Sequence, residues 1–276
     1  MLIKLGMTSY SFQDELAIGL MSLEDTMAAL AAIGGTGYEA ILEQVLPKGN
    51  FMNLSDSFVS YWNELLAKYS LEATCADIFD DFNLYRNRTL SEKEQLEYIV
   101  HYLKVANRLG FKTIRVLCNT PISVLDKALP IAEDLNLKLG LEIHAPLSMK
   151  TQWALNWQEL LYKKNAKNGG FIPDFGIFGL RPLTLNVARA IRNGANPEIC
   201  DFIVEEYKKN AKKRAETGEI IASATAEEML DNGPAGSKEL AEKVLKMGGG
   251  KEELALVNAR LCYDNPLWLV EVLDLI

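Results

Sequence analysis

Within its first 180 residues the chain passes repeatedly from a short apolar run with strand character to a longer run with helix character. The strand-like runs are IKLGMTSYSF (3–12), GYEAILEQVL (37–46), LEATCADIF (71–79), KTIRVLC (112–118), LKLGLEIHAP (137–146) and GFIPDFGIFG (170–179). Helix-like runs separate them at 22–35, 55–70, 91–110, 123–136 and 151–170. Ser22 with Asp25 and Ser91 with Glu94 read as helix-opening caps, and Pro130 is expected to kink the helix that contains it. Such alternation with short connections commits a chain to parallel strands, because each return to the same end of the sheet needs a crossover. The strands are apolar over most of their length, which suits a sheet covered by helices.

The first strand is not followed by GxGxxG, since LGMTSYS lacks it, and this disfavours a dinucleotide-binding doubly wound sheet. The expected fold is therefore an α/β protein of the (β/α) TIM barrel type. Residues 1–180 predict six βα units. From 184 onward the chain reads as helix and loop only, at 184–193, 197–217, 225–231, 237–247 and 251–276. Residues 181–276 are thus expected to form a helical insert and the helix before strand seven of the same domain. The last two strands of a full barrel have no counterpart in this reading.

A length of 276 residues suits one such barrel. The net charge of −8 argues against a nucleic-acid surface, which needs a basic stripe. The one basic run, EEYKKNAKKRAE (205–216), alternates with acids as a solvated helix face does. No run of 18 apolar residues is present, so no membrane span is expected. MLIKLGMTSYSF reads as a first strand and not as a signal peptide. Cys75, Cys118, Cys200 and Cys262 are far apart, which suits reduced thiols and a cytoplasmic location.

Alternate residues of a strand share a face. On the fifth strand Gly140, Glu142 and His144 fall together, with Leu139, Leu141 and Ile143 opposite. Glu142 and His144 are expected near the C-terminal rim, where barrel enzymes place their chemistry. A buried carboxylate needs a partner, and Glu142 has two kinds on offer. It pairs with His144 or with Arg115 on the neighbouring strand, or it binds a divalent metal with His144 either supporting the ligand from behind or serving as the proton-transfer residue. Asp174 in IPDFGIF stands in an otherwise apolar run, and is either a second ligand or a carboxylate that caps the next helix. Two acids at matching depth on adjacent strands suit an oxygen-preferring ion such as Mn²⁺ or Mg²⁺.

Other strand ends offer weaker substrate-binding candidates. Glu43 is placed at the end of the second strand, with a surface acid as the plainer reading. Arg115 and Asn119 point the same way on the fourth, where satisfying Glu142 is the simplest task for Arg115. Asp77, Asp80 and Asp81 form a loop-lining charge cluster that contains at most one binding group. Trp153 and Trp157 are four apart on a helix, which is core spacing first and a sugar-stacking platform second. His101 is an ordinary helix imidazole. No Ser or Cys stands in a nucleophile-elbow context, which disfavours acyl transfer.

LGLEIHAP, GFIPDFGIFG, LGMTSYSF and GYEAI together resemble the xylose isomerase-like barrels, a superfamily of sugar isomerases and epimerases. That resemblance implies metal ligation by Glu142 and Asp174, matching the family's strand-five Glu and strand-six Asp. The family's strand-seven His and strand-eight Glu find no match. Within the superfamily, the E-x-H element, the PDFGIF wording and the long helical insert look most like the α-subunit of C-glycoside deglycosidases. This likeness implies a metal-dependent lyase for a sugar or glycoside substrate, working with a smaller β-subunit or as a homo-oligomer. His144 would be its acid/base. A sugar or sugar phosphate isomerase or epimerase is the alternative, and a non-catalytic barrel subunit is another.

Overall fold

The computed structural model describes residues 5–47, 54–79, 84–117, 120–144, 149, 152–174, 181–217, 237–257 and 261–262. Six parallel strands form one sheet: β1 (Gly6–Thr8), β2 (Gly37–Ile41), β3 (Glu72–Ile78), β4 (Thr113–Val116), β5 (Lys138–Ile143) and β6 (Gly169–Pro173). Their spatial order equals their order in the chain. That is the order of a (β/α) barrel wall, and the reversal of direction that defines a doubly wound sheet is missing from these six strands.

The crossovers are α2 (Leu23–Ala32), α4 (Asp56–Tyr69), α5 (Glu92–Arg108), α6 (Ile122–Asp134) and α7 (Gln152–Lys164), with the short α1 (Gln13–Ile18) and α3 (Leu42–Val45) after β1 and β2. Ser22 and Asp25 cap α2 reciprocally, and Ser91 and Glu94 do the same for α5. Arg88 braces the second cap with two hydrogen bonds to Glu94, of 2.9 and 2.7 Å. Pro130 lies inside α6.

The chain divides into two compact units, 1–142 with 157–172 and 143–156 with 173–276. In the first, Met27, Leu30, Tyr38, Trp62, Leu103, Phe111, Ile114, Leu125 and Leu139 are fully or almost fully buried. The Trp62 indole meets Tyr38 edge-on and donates to the Leu109 carbonyl at 2.9 Å. In the second unit, α8 (Thr184–Arg192), α9 (Pro197–Thr217) and the helices Ser237–Lys246 and Lys251–Val257 surround Ala190, Ile199, Ile203, Tyr207, Val244, Leu256 and Val257. Glu253 is buried there and accepts from the Asn196 and Gly250 backbone N–H groups at 2.7 and 2.9 Å.

Several boundaries differ from expectation. The first strand does not run to residue 12: after Thr8 the chain turns into a 3-10 segment, Ser9–Phe12, whose start is tied by the Thr8 hydroxyl accepting from Tyr10 N–H. The second strand stops at Ile41, and Leu42–Val45 is helical. The region after 184 is not purely helical, because Leu261–Cys262 pairs antiparallel with Arg181–Pro182 as a two-residue ladder. A ladder so short leaves no periodic signal. The expected helix at 225–231 lies outside the described residues, as does most of 251–276 beyond Val257. Among the described residues no helix is long and apolar enough to cross a membrane.

Candidate functional site

Parallel register places a row of charged side chains on one face of the sheet in the first unit. Asp77 on β3 is the Cα partner of Arg115 on β4, and Arg115 is the partner of Gly140 on β5. Glu142 is the next residue of β5 on the same face. Asp77, Arg115 and Glu142 are each the penultimate residue of their strand, so all three stand at the strands' C-terminal ends. Open α/β sheets and barrels alike put their ligands there.

The row is closely hydrogen-bonded. Arg115 Nε and Nη2 donate to Asp77 Oδ1 and Oδ2, both at 2.7 Å, and Nη1 donates to Glu142 Oε1 at 2.5 Å. Glu39 on β2 stands 3.7 Å from Nη2. The Asp77 and Glu142 side chains are 1% and 3% exposed, so water does not replace the guanidinium as their partner. Burial opposes the charge on Arg115, but the Asp77 hydrogen bonds and the neighbouring carboxylates outweigh it and hold the group protonated. Burial pushes the Asp77 carboxyl up, with Arg115 pulling it the other way.

Glu39, Cys75 and Asp77 bring potential ligand atoms within 4.8 Å of one another. Both oxygens of Asp77 are committed to Arg115, and burial, helped by the Asp77 and Glu39 charges, pushes the Cys75 thiol up and keeps it neutral. We therefore read this trio as part of the ion-pair cluster. Glu39 enters it through a β-bulge. A straight register from Tyr38↔Ala73 would pair Glu39 with Thr74, and the extra residue on β3 pairs it with Cys75 instead.

In the second unit, His144 follows β5 directly and Asp174 follows β6. The Asp174 backbone N–H donates to the Ile143 carbonyl at 3.0 Å, continuing the ladder by one rung. His144 Nε2 and Asp174 Oδ2 are 3.9 Å apart, and their side chains are 38% and 25% exposed. That gap is too long for a hydrogen bond. It falls within the ~3–4 Å spread of two ligand atoms sharing one ion at bonds of about 2.1 Å. The donor types are a nitrogen and a carboxylate oxygen, both of which divalent ions accept.

The sequence-derived candidates thus fall into two groups, Arg115 with Glu142 and His144 with Asp174. Glu43 is not at the end of β2 but in α3, where Tyr98 donates to it at 3.0 Å. Its carboxyl keeps an exposed edge, yet the protein crowded around it raises its pKa. Trp157 is a core residue, fully buried and donating to the Gly170 carbonyl at 2.9 Å. Trp153 is half-buried, with an indole N–H that meets no acceptor among the described residues. Asn119, Asp80 and Asp81 lie outside the described residues. Sequence reasoning missed Glu39 and took Asp77 for a loop charge. Same-face spacing with Cys75 and Asp77 on β3 was the available signal, but the bulge that brings Glu39 into that row is invisible in residue types.

No protein-family model matches the chain. A C-glycoside deglycosidase alpha subunit of Arthrobacter globiformis is 31% identical over 174 residues, which are 63% of this chain and 49% of that protein. A 3'-dehydrocarminate deglycosidase alpha subunit of a Microbacterium species is 33% identical over 174 residues, with the same two coverages of 63% and 49%. A second C-glycoside deglycosidase alpha subunit of Arthrobacter globiformis is 30% identical over 203 residues, covering 72% of this chain and 54% of that protein. The chain spans about half the length of the curated relatives it matches. Among solved structures, a D-psicose 3-epimerase overlaps 64% of this chain and 65% of its own at 12% identity and a TM-score of 0.49. A probable 3-DHS dehydratase from Bacillus anthracis overlaps 63% of each chain at 18% identity and a TM-score of 0.48. The resemblance drawn from LGLEIHAP and GFIPDFGIFG is borne out by the deglycosidase relatives.

Proposed function

We propose that this chain, similar in sequence to C-glycoside deglycosidase alpha subunits, is a carbohydrate-active lyase subunit that cleaves the carbon–carbon bond of a 3-oxo-C-glycoside. The observation that carries the reading is the placing of His144 beside Asp174, both directly after parallel strands and both open to solvent. An imidazole takes up and returns protons near neutral pH. In a 3-oxo sugar the hydrogen on C2 is acidic because the C3 carbonyl accepts the electron pair. His144 removes that proton at Nε2, the C1–C2 double bond forms, and the C1–aglycone bond breaks. The aglycone carbon then takes up a proton.

Glu142 in the first unit and Asp174 in the second are each proposed as an oxygen ligand for a divalent ion, Mn²⁺ or Mg²⁺. When bound, such an ion supplies Lewis acidity toward a carbonyl oxygen. A smaller partner subunit is part of the proposal, since the relatives are named as alpha subunits.

The test supplies an aromatic 3-oxo-C-glycoside to the chain, alone and with a candidate smaller subunit, and follows aglycone release by chromatography. Release that falls about 10²–10⁴-fold in His144→Asn supports the reading. Epimerisation or isomerisation of free or phosphorylated ketoses, without aglycone release, replaces it with a sugar epimerase. No turnover in either assay, with a stable complex to the smaller subunit, leaves a non-catalytic partner.

A further inference from the structure

Arg115 makes more of its geometry than a single ion pair needs. A guanidinium is planar and rigid, so fixing two of its nitrogens fixes the third. Asp77 takes Nε and Nη2 in a two-pronged grip at 2.7 Å each, and this leaves Nη1 aimed at Glu142 Oε1. Strand register supports the same arrangement. Gly140, the Cα partner of Arg115, adds no side chain at that level of β5, and Ile172 Cδ1 comes within 2.6 Å of where a Cβ would stand. The guanidinium therefore engages β5 one same-face step further on, at Glu142.

We propose that Asp77 and Arg115 are positioning residues for Glu142: the β3 carboxylate locks the β4 guanidinium, and the locked guanidinium fixes the orientation of the β5 carboxylate. Glu39, 3.7 Å from Nη2, adds negative charge to the same group from β2. Bidentate pairing supplies direction as well as attraction, and outer partners of this kind tune the side chains they hold. In this network a lysine is no substitute for Arg115, because a point charge with rotatable donors cannot hold two carboxylates in a set relation. The inference rests on the proposed function only in taking Glu142 as an ion-holding side chain.

The experiment has two arms. In the first, the dissociation constant for Mn²⁺ is measured on the full chain for wild type, Asp77→Asn, Arg115→Lys, Arg115→Met and Glu142→Gln, each checked for folding by circular dichroism. The expected result is a 10–100-fold loss of affinity in Asp77→Asn and Arg115→Met, with their double variant no worse than either. Arg115→Lys is expected to recover little. Added ethylguanidinium should restore binding in Arg115→Met and leave Glu142→Gln unchanged. Wild-type affinity in a folded Asp77→Asn overturns the proposal. In the second arm, the crystal structure of Asp77→Asn is compared with that of wild type. The proposal expects the Nη1–Oε1 contact to lengthen beyond hydrogen-bond reach, and a contact retained at its present length overturns it. If wild type binds no Mn²⁺, the ion-holding reading of Glu142 fails and the second arm alone decides the positioning role. If Arg115→Met does not fold, Asp77→Asn and Arg115→Lys carry the test.

Discussion

Asp77 holds Arg115 by two parallel hydrogen bonds of 2.7 Å while the same guanidinium reaches Glu142 on the next strand. Three strands are tied through one side chain in a place where two of the three participants see almost no water.

Removing one member of such a network leaves buried charge behind. Arg115→Met should lower unfolding free energy by about 3–5 kcal/mol, read from urea unfolding. A loss below about 1 kcal/mol would mean that water reaches the two carboxylates after all.

Helix α5 supplies a prediction about pH. Hydrogen bonds from Arg88, and then from Ser91, pull the Glu94 carboxyl down to about 2. A carboxyl lowered on folding contributes stability above its unfolded pKa of about 4.3 and loses it as pH falls through the folded value. The stability difference between wild type and Glu94→Gln should be full at pH 6, shrink below about pH 4.3, and vanish near pH 2. Thermal unfolding at stepped pH reads it, and a difference that grows on acidification would contradict the assignment.

In the second unit, Glu253→Ala leaves the Asn196 and Gly250 amides without their acceptor. The expected cost is about 1–3 kcal/mol. Amide exchange at these two positions should accelerate together, since both lean on one carboxylate.

Trp62→Phe deletes the donor to the Leu109 carbonyl and part of the contact with Tyr38 and Phe111. A loss of about 2 kcal/mol in thermal or urea unfolding is expected from the unpaired carbonyl and the gap together.

The alternation of βα units was legible because helix and strand periods differ and the caps at Ser22 and Ser91 are encoded in side chains that act locally. Glu142 was legible as a buried acid, and Arg115 as its partner, because two-residue spacing fixes which side chains share a face. Asp77 was misjudged because the same Asp reads as loop or strand until the strand end is known. Glu39 was lost to the bulge at Thr74, a shift of one residue that reverses faces. Glu43 was placed at a strand end because nothing in ILEQVL announces the single helical turn that begins at Leu42. The ladder between 181–182 and 261–262 joins segments about 80 residues apart, a distance over which local pattern says nothing.

Because neighbours in the sheet are also neighbours in the chain, the Asp77–Arg115 pair can close when β4 docks on β3, before β5 joins the sheet. The guanidinium is then already seated when β5 arrives. The last carboxylate meets a prepared cation, so the unpaired Glu142 never has to be dehydrated alone. In a doubly wound order of 3-2-1-4-5-6 the third and fourth strands are not neighbours, and a pair such as Asp77–Arg115 would have no register to form in.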